Sequence, residues 1–299
     1  MQSGDSQPTT GEAFSGRTAV IAGNGVLPLA VAKVLRDQGR DPFLVVLRGE
    51  ADQQLYQFDH CEISIVEFAR LIRVLKTAEV KNVVLAGGVR YRPQLRDLRI
   101  DVPTLRVLPR IFFALGKGDD ALLRAFIGLV EGYGFHVIGA HEIVPELLAP
   151  KGGALTKKRS DKQEQRNIAL AAEAADRLGA LDVGQGAVAV GGRVVALEGA
   201  EGTDNMLERI SQLRRAGSIP KKGGVLVKVM KPDQEERADL PTIGPQTVEN
   251  AYQAGLYGIV VEAGRSFILD IEEVVKTANQ YGMFIETLDR SRFCFRQGK

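Results

Sequence analysis

Short apolar runs of strand length alternate along this chain with longer segments whose apolar residues recur every three to four positions. Residues 18–21, 43–47 and 82–85 are compact runs of the first kind, and residues 67–77 carry the period of an amphipathic helix. A helix is expected to begin near Pro28, because the first helical turn leaves its amides unpaired and proline lacks that proton. Residues 122–133 read as a further helix stopped by Gly134, with a strand over 135–138. Ser160 and Gln163 have capping-box spacing ahead of a helix that places Ile168, Ala171, Ala175 and Leu178 on one side and exits at Gly179. Strands follow over 186–190 and 194–196, a helix over 204–213, and strands over 225–229 and 258–261. After the turn Ala263-Gly264-Arg265, Asp270 and Glu273 have the spacing to cap a helix over 271–279, and residues 283–286 return as a strand. Such alternation predicts α/β architecture with parallel sheets covered by helices.

A length of 299 residues exceeds what one core usually organises and suggests two domains at about 150 residues each. Composition breaks at Pro150-Lys151-Gly152-Gly153, which sets the expected boundary between a Rossmann-like N-terminal domain over 17–152 and a second α/β domain over 153–299. The first sixteen residues are polar and glycine-rich and read as a loose leader, and no apolar run approaches the 18 residues of a membrane span. The 39 basic and 37 acidic side chains leave a net charge of +2, so bulk attraction to nucleic acid is not expected and only a local basic patch remains open. Two cysteines, Cys61 and Cys294, make neither a disulfide framework nor a thiolate cluster, which favours a reducing cytoplasm.

Candidate chemistry concentrates at the ends of predicted strands. Gly23-Asn24-Gly25-Val26-Leu27-Pro28 lacks the last small residue of a dinucleotide fingerprint and the Lys-Ser/Thr pair of a P-loop; it is either a phosphate-contacting loop or a structural turn. Gly87-Gly88-Val89-Arg90 is a related strand end, with Arg90 able to meet a phosphate or an ordinary ion-pair partner. His141 is the histidine best placed to contact a ligand, whereas His60 and His136 read as structural. Lys157, Lys158 and Arg159 either hold an anion or form a solvated basic hinge, and Asp161 can cap the helix behind them. Glu201-Gly202-Thr203-Asp204 sets two carboxylates near a tight turn, suited to Mg²⁺ or Mn²⁺ through oxygen or to helix capping by Thr203 and Asp204.

The densest polar stretch runs from Lys231 to Gly244, directly after an apolar strand. Lys231 and Arg237 can neutralise phosphate oxygens while Asp233 and Asp239 place a metal ion or an attacking water; a salt-bridged structural loop is the other reading. Pro232 and Pro241 stiffen its flanks.

Four ordered segments together resemble the LpxI-type UDP-2,3-diacylglucosamine pyrophosphatases of lipid A biosynthesis. They are Ile21 to Pro28, Gly139-Ala140-His141-Glu142-Ile143, Glu201 to Asp204, and Lys231-Pro232-Asp233-Gln234 continuing through Arg237-Ala238-Asp239-Leu240-Pro241-Thr242-Ile243-Gly244. The resemblance implies a metal-dependent hydrolase, using Mg²⁺ or Mn²⁺, that cleaves UDP-2,3-diacylglucosamine to UMP and lipid X by attack at the uridine-linked phosphorus. It implies Asp239 as the central catalytic residue; Asp233 is a second catalytic candidate, and Asp239, Asp233, Glu201 and Asp204 are the candidate metal ligands, the last three from their place in the sequence. Gly23, Asn24, Gly25, Gly88, Arg90, His141, Lys231, Arg237 and Thr242 are the residues expected to bind such a substrate. Leu147, Leu148, Ile243, Leu256 and Tyr257 are offered either as apolar surface for acyl chains or as ordinary core. A homodimer, a cytoplasmic location and weak contact with the inner-membrane surface are also implied. The alternative is a nonhydrolytic nucleotide-lipid binding or transfer protein.

Overall fold

A computed structural model describes residues 15–89 and 119–292, which divide into two compact units: 15–89 with 121–144, and 119–120 with 145–292. The first contains β1 (Arg17–Ala22), α1 (Leu27–Asp37), β2 (Phe43–Leu47), β3 (His60–Ile63), α2 (Phe68–Thr77), β4 (Val80–Ala86), most of α3 (Asp119–Gly132), β5 (His136–Ile138) and the short α4 (Ala140–Ile143). Its sheet has the order β3-β2-β1-β4-β5, with every pairing parallel. All five residues of β2 are buried, as expected for a parallel strand covered on both faces. Phe68, Leu71, Ile72 and Leu75 supply the buried stripe of α2, the spacing that the sequence displays. This is a Rossmann-like unit, and the order reverses between β1 and β4, where open α/β sheets place ligands.

The second unit comprises α5 (Lys162–Ala180), β6 (Gly186–Val190), β7 (Arg193–Leu197), α6 (Gly202–Arg215), β8 (Val225–Lys228), β9 (Thr242–Ile243), α7 (Pro245–Gln253), β10 (Gly258–Glu262), β11 (Phe267–Ile268), α8 (Ile271–Gln280) and β12 (Phe284–Leu288). Its main sheet runs β12-β10-β8-β6-β7. The expectation of a wholly parallel arrangement is corrected here: β8, β10 and β12 are parallel, but β6 is antiparallel to both β7 and β8. Gly191 and Gly192, at φ 59° and 79°, turn β6 back into β7; two positive φ values in a two-residue loop are what a tight hairpin requires.

Alternation along these strands builds two layers of core. Val188, Leu226, Ile259 and Ile285 pack with Leu207, Ile210, Val248 and Val274 of the helices on one face. Ala187, Val225, Val227, Val260 and Phe284 pack with Ile168, Ala171 and Ala175 of α5 on the other. Phe284 is wholly buried, a contribution of about 1.5–3 kcal/mol from its side chain. Two sequence expectations about α5 change. Its cap is Asp161, which accepts from the Glu164 amide at 2.8 Å, while Ser160 is drawn away by two hydrogen bonds to Glu286. Gly179 lies inside the helix rather than ending it, and a Cβ there would stand 3.1 Å from the Cα of Lys231. The glycine is needed for close approach of the polar segment to α5. At α8 the expected cap forms, Asp270 accepting from the Glu273 amide. No described helix is long and apolar enough to cross a membrane.

Candidate functional site

In the first unit, the loops after β1 and β4 are joined by a two-residue bridge. The Asn24 amide donates to Gly88 O at 2.8 Å, and the Gly88 amide donates to Asn24 O at 3.0 Å. A Cβ on Gly23 would lie 2.2 Å from Gly88 O, so this glycine is demanded by backbone approach. Gly25 differs: its φ is +94° and the space around it is open. Thus Gly23, Asn24, Gly25 and Gly88 do gather at the reversal of strand order, while Arg90 lies outside the described residues, as does Cys294. The loop after β5 leads into His141 on the same sheet edge. Gly139 leaves room for that imidazole, whose buried Nδ1 has no hydrogen-bond partner among the described residues. His60 makes a local contact, Nδ1 to Phe58 O at 2.8 Å, in line with its structural reading.

In the second unit the polar segment leaves the C-terminal end of β8 and carries most of the candidate chemistry. Gln234 braces it from within. Its Oε1 accepts from the Lys231 amide at 2.9 Å and its Nε2 donates to Asp239 Oδ2 at 3.2 Å, and the residue is only 9% exposed. Asp239 keeps solvent-exposed surface, yet protein atoms crowd its carboxyl. That crowding pushes its pKa up; Lys228 and then Lys231 pull it down, and Glu198 and Asp120 push it further up. Water that still reaches the group moderates this desolvation. A carboxyl poised above its ordinary value suits proton transfer.

The two cations expected to meet phosphate are already engaged. Lys231 Nζ stands 2.5 Å from Asp182 Oδ1, and Arg237 makes a two-pronged pair with Glu235 at 2.8 and 3.0 Å. Asp182 holds φ at 54°, an uncommon left-handed conformation that its contacts with Lys231 and the Asp120 amide stabilise. Lys228 is the residue sequence reasoning missed. It is 5% exposed, sits opposite Gly186 on the neighbouring strand, and its Nζ donates to a carbonyl, Thr242 O, at 3.2 Å. A lysine inside the apolar run Val225 to Met230 was the available signal, since lysine is rarely buried without a task. Thr242 itself donates its hydroxyl to Leu240 O.

Glu198 is a second omission. It is 7% exposed; Oε1 accepts from the Thr203 hydroxyl at 2.6 Å, and Oε2 has no partner among the described residues. Gly186 makes its placement feasible, because a Cβ there would fall 2.6 Å from Oε2. Nothing in the sequence separates this glutamate from a surface one. Thr203 consequently does not cap α6, and Asp204 accepts from Asn250 instead, correcting the capping reading of both.

The four expected metal ligands are held separately. Glu201 pairs with Arg209 at 3.0 Å, Asp204 bonds Asn250 at 2.8 Å, Asp239 bonds Gln234, and Asp233 is exposed. Among the described residues no three His, Cys, Asp or Glu side chains gather as a metal-holding group. The four residues expected to hold Mg²⁺ or Mn²⁺ therefore do not form one ligand set among the described residues. The acyl-surface reading also narrows: Ile243 and Leu256 are core, while Tyr257 is 38% exposed.

Comparison with known proteins covers nearly all of this framework. Residues 17–147 match the family described as the LpxI N-terminal domain, and residues 151–286 match the LpxI C-terminal domain. The chain is 40% identical over 275 residues to a protein of Caulobacter vibrioides named UDP-2,3-diacylglucosamine pyrophosphatase LpxI, an alignment covering 91% of this chain and 98% of that protein. That name corrects the functional expectation drawn from the sequence. It carries hydrolysis, which overturns the nonhydrolytic binding or transfer alternative, and it carries neither metal dependence nor attack at the uridine-linked phosphorus.

Proposed function

The chain belongs to the LpxI family, and from that premise we propose that it is a hydrolase cleaving the pyrophosphate bond of UDP-2,3-diacylglucosamine. The observation that carries this reading is the 40% identity extending over 98% of a relative named for that activity. The second unit supplies suitable chemistry at one strand end. Asp239, its pKa raised, takes a proton from water as the water oxygen bonds to phosphorus. The bond to the bridging oxygen breaks, and Lys228 offsets negative charge gathering on the phosphoryl oxygens. Gln234 fixes the Asp239 carboxyl, and the Lys231–Asp182 pair anchors the root of the loop. Taken by itself, the first unit offers the bridged glycine loops and His141 as parts suited to hold a nucleotide or phosphate group. The acyl chains of such a substrate favour reaction at a membrane surface.

Purified protein given UDP-2,3-diacylglucosamine in detergent micelles should release uridine monophosphate and an acylated glucosamine 1-phosphate, both identified by mass. Tight binding with no product would reject hydrolysis. Lys228→Met is expected to lower kcat about 100-fold with a smaller change in KM, because the cation acts on charge that develops during reaction. Loss confined to KM would reassign Lys228 to ground-state binding.

A further inference from the structure

The edge of the second-unit sheet opposite Asp239 carries a cavity of about 490 Å³ that the proposed reaction does not use. Its walls include Lys221 and Lys222 in the loop ahead of β8, and residues 255–257 and 281–283, which immediately precede β10 and β12, whereas the Lys231 to Gly244 segment follows β8. Four strand residues separate the two ends, roughly 13 Å at about 3.3 Å per residue.

Lys158, Arg214, Arg215, Lys221 and Lys222 line this cavity, and no Asp or Glu does. Arg214 builds the wall rather than an ion pair. Its guanidinium donates to the carbonyls of Ala254, Pro220 and Gly223 and has no carboxylate partner among the described residues. Arg215, Lys221 and Lys222 are exposed and likewise form no ion pair among those residues. Lys158 Nζ stands 4.4 Å from the Tyr257 ring centroid. Tyr252 stacks on Tyr281 with centroids 3.9 Å apart, adding a flat aromatic wall.

Glu164 behind the wall acts electrostatically on Arg214, but the exposed Arg215, Lys221 and Lys222 repel one another, and a multiply charged anion removes that repulsion. Ammonium and guanidinium groups converging from several directions suit the tetrahedral oxygens of phosphate. The volume exceeds what a lone phosphate needs and falls in the range of small-molecule sites. The geometry points to a second ligand site here, independent of the pyrophosphatase reaction, for the phosphate or pyrophosphate group of a phosphorylated small molecule or lipid headgroup. This assigns Lys158 the anion-holding role, one of the two readings open for the Lys157-Lys158-Arg159 run.

The test uses the full chain at about 0.15 M salt, where scattered surface attraction is largely screened. Equilibrium dialysis with radiolabelled inorganic pyrophosphate should show that Arg215→Gln/Lys221→Gln/Lys222→Gln loses one saturable equivalent, or binds it at least about tenfold more weakly. The variant Lys221→Arg/Lys222→Arg should retain it, and unchanged melting and unchanged hydrolysis of the diacylated substrate show that the fold and the other strand end are intact. Sedimentation with phosphatidylglycerol vesicles identifies the source of the phosphate. Vesicle binding lost in the glutamine variant and displaced by pyrophosphate assigns a lipid headgroup; pyrophosphate binding without vesicle binding assigns a soluble ligand. Equal pyrophosphate and vesicle binding by wild type and the glutamine variant, or only nonsaturable pyrophosphate uptake, overturns the site.

Discussion

Replacing Asp239 with asparagine is expected to lower kcat for the diacylated UDP-sugar by about 10²- to 10⁴-fold, the range ordinarily lost with a general base. Asparagine keeps the volume and an acceptor for Gln234 Nε2, so the bond at 3.2 Å survives while the proton acceptor is lost. Folding should not suffer. Crowding raises the pKa of Asp239, so its charged form is a cost to the native state that the variant removes, and the melting temperature at neutral pH should equal or slightly exceed that of wild type. The pH profile supplies an independent readout. A base must be deprotonated, so wild-type kcat should fall as pH drops through a value above the ordinary 3.8, and the asparagine variant should lack that limb. Lys228→Met removes the largest downward pull on the same carboxyl, moving the limb to higher pH. Turnover within about tenfold of wild type, with the acid limb intact, would take Asp239 out of proton transfer.

What the sequence displays best is the part of the fold written in local pattern. The runs at 43–47 and 186–190 coincide with β2 and β6 because their burial on both faces leaves continuous apolar residues. α7 is hard to see, since only Val248 and Ala251 of its nine residues are buried. β9 and β11 have two residues each, too few for a period, and exist because they pair with one another. The polar segment is legible as candidate chemistry through its composition, but its internal allegiances are not. Lys231 turns to Asp182, 49 residues away, and Arg237 turns to Glu235 beside it, so two cations that look equivalent in sequence are both neutralised in place. Lys228 and Glu198 become conspicuous only when the sheet shows them buried. Separation of the expected metal ligands has the same cause: a spacing of six positions from Asp233 to Asp239 sets no distance once a turn intervenes, with the Asp239 amide folding back onto Glu235 O.

The root of that segment depends on a cation with two carboxylate partners, and Arg290→Met should therefore destabilise the second unit by about 3–5 kcal/mol, measured from denaturant midpoints at constant m. Arg290 pairs with Asp176, lies 3.5 Å from Glu262 and donates to Met230 O at 2.8 Å. Glu262, whose side chain is 3% exposed, accepts from the Met230 amide at 3.0 Å. Both backbone polar groups of Met230 are thus held, immediately before Lys231 begins the loop that carries Asp239. Methionine preserves the apolar stem and removes the charge, leaving Glu262 buried with an amide but without its cation. Burial already raises the pKa of Glu262, against the Met230 amide and then Arg290, so losing Arg290 raises it further. A carboxyl raised in the folded state holds its proton more tightly there than in the unfolded chain. The stability of the variant should be greatest below the ordinary carboxylate value and fall as pH rises through the raised folded value. Its deficit relative to wild type should accordingly be largest near neutral pH and narrow in acid. Adding Glu262→Gln to Arg290→Met should recover much of the loss by removing the stranded charge. A deficit that is flat from acid to neutral pH and untouched by the second substitution would mean that Arg290 acts through packing and its carbonyl bond alone, and that the loop root needs no charge pairing beneath it.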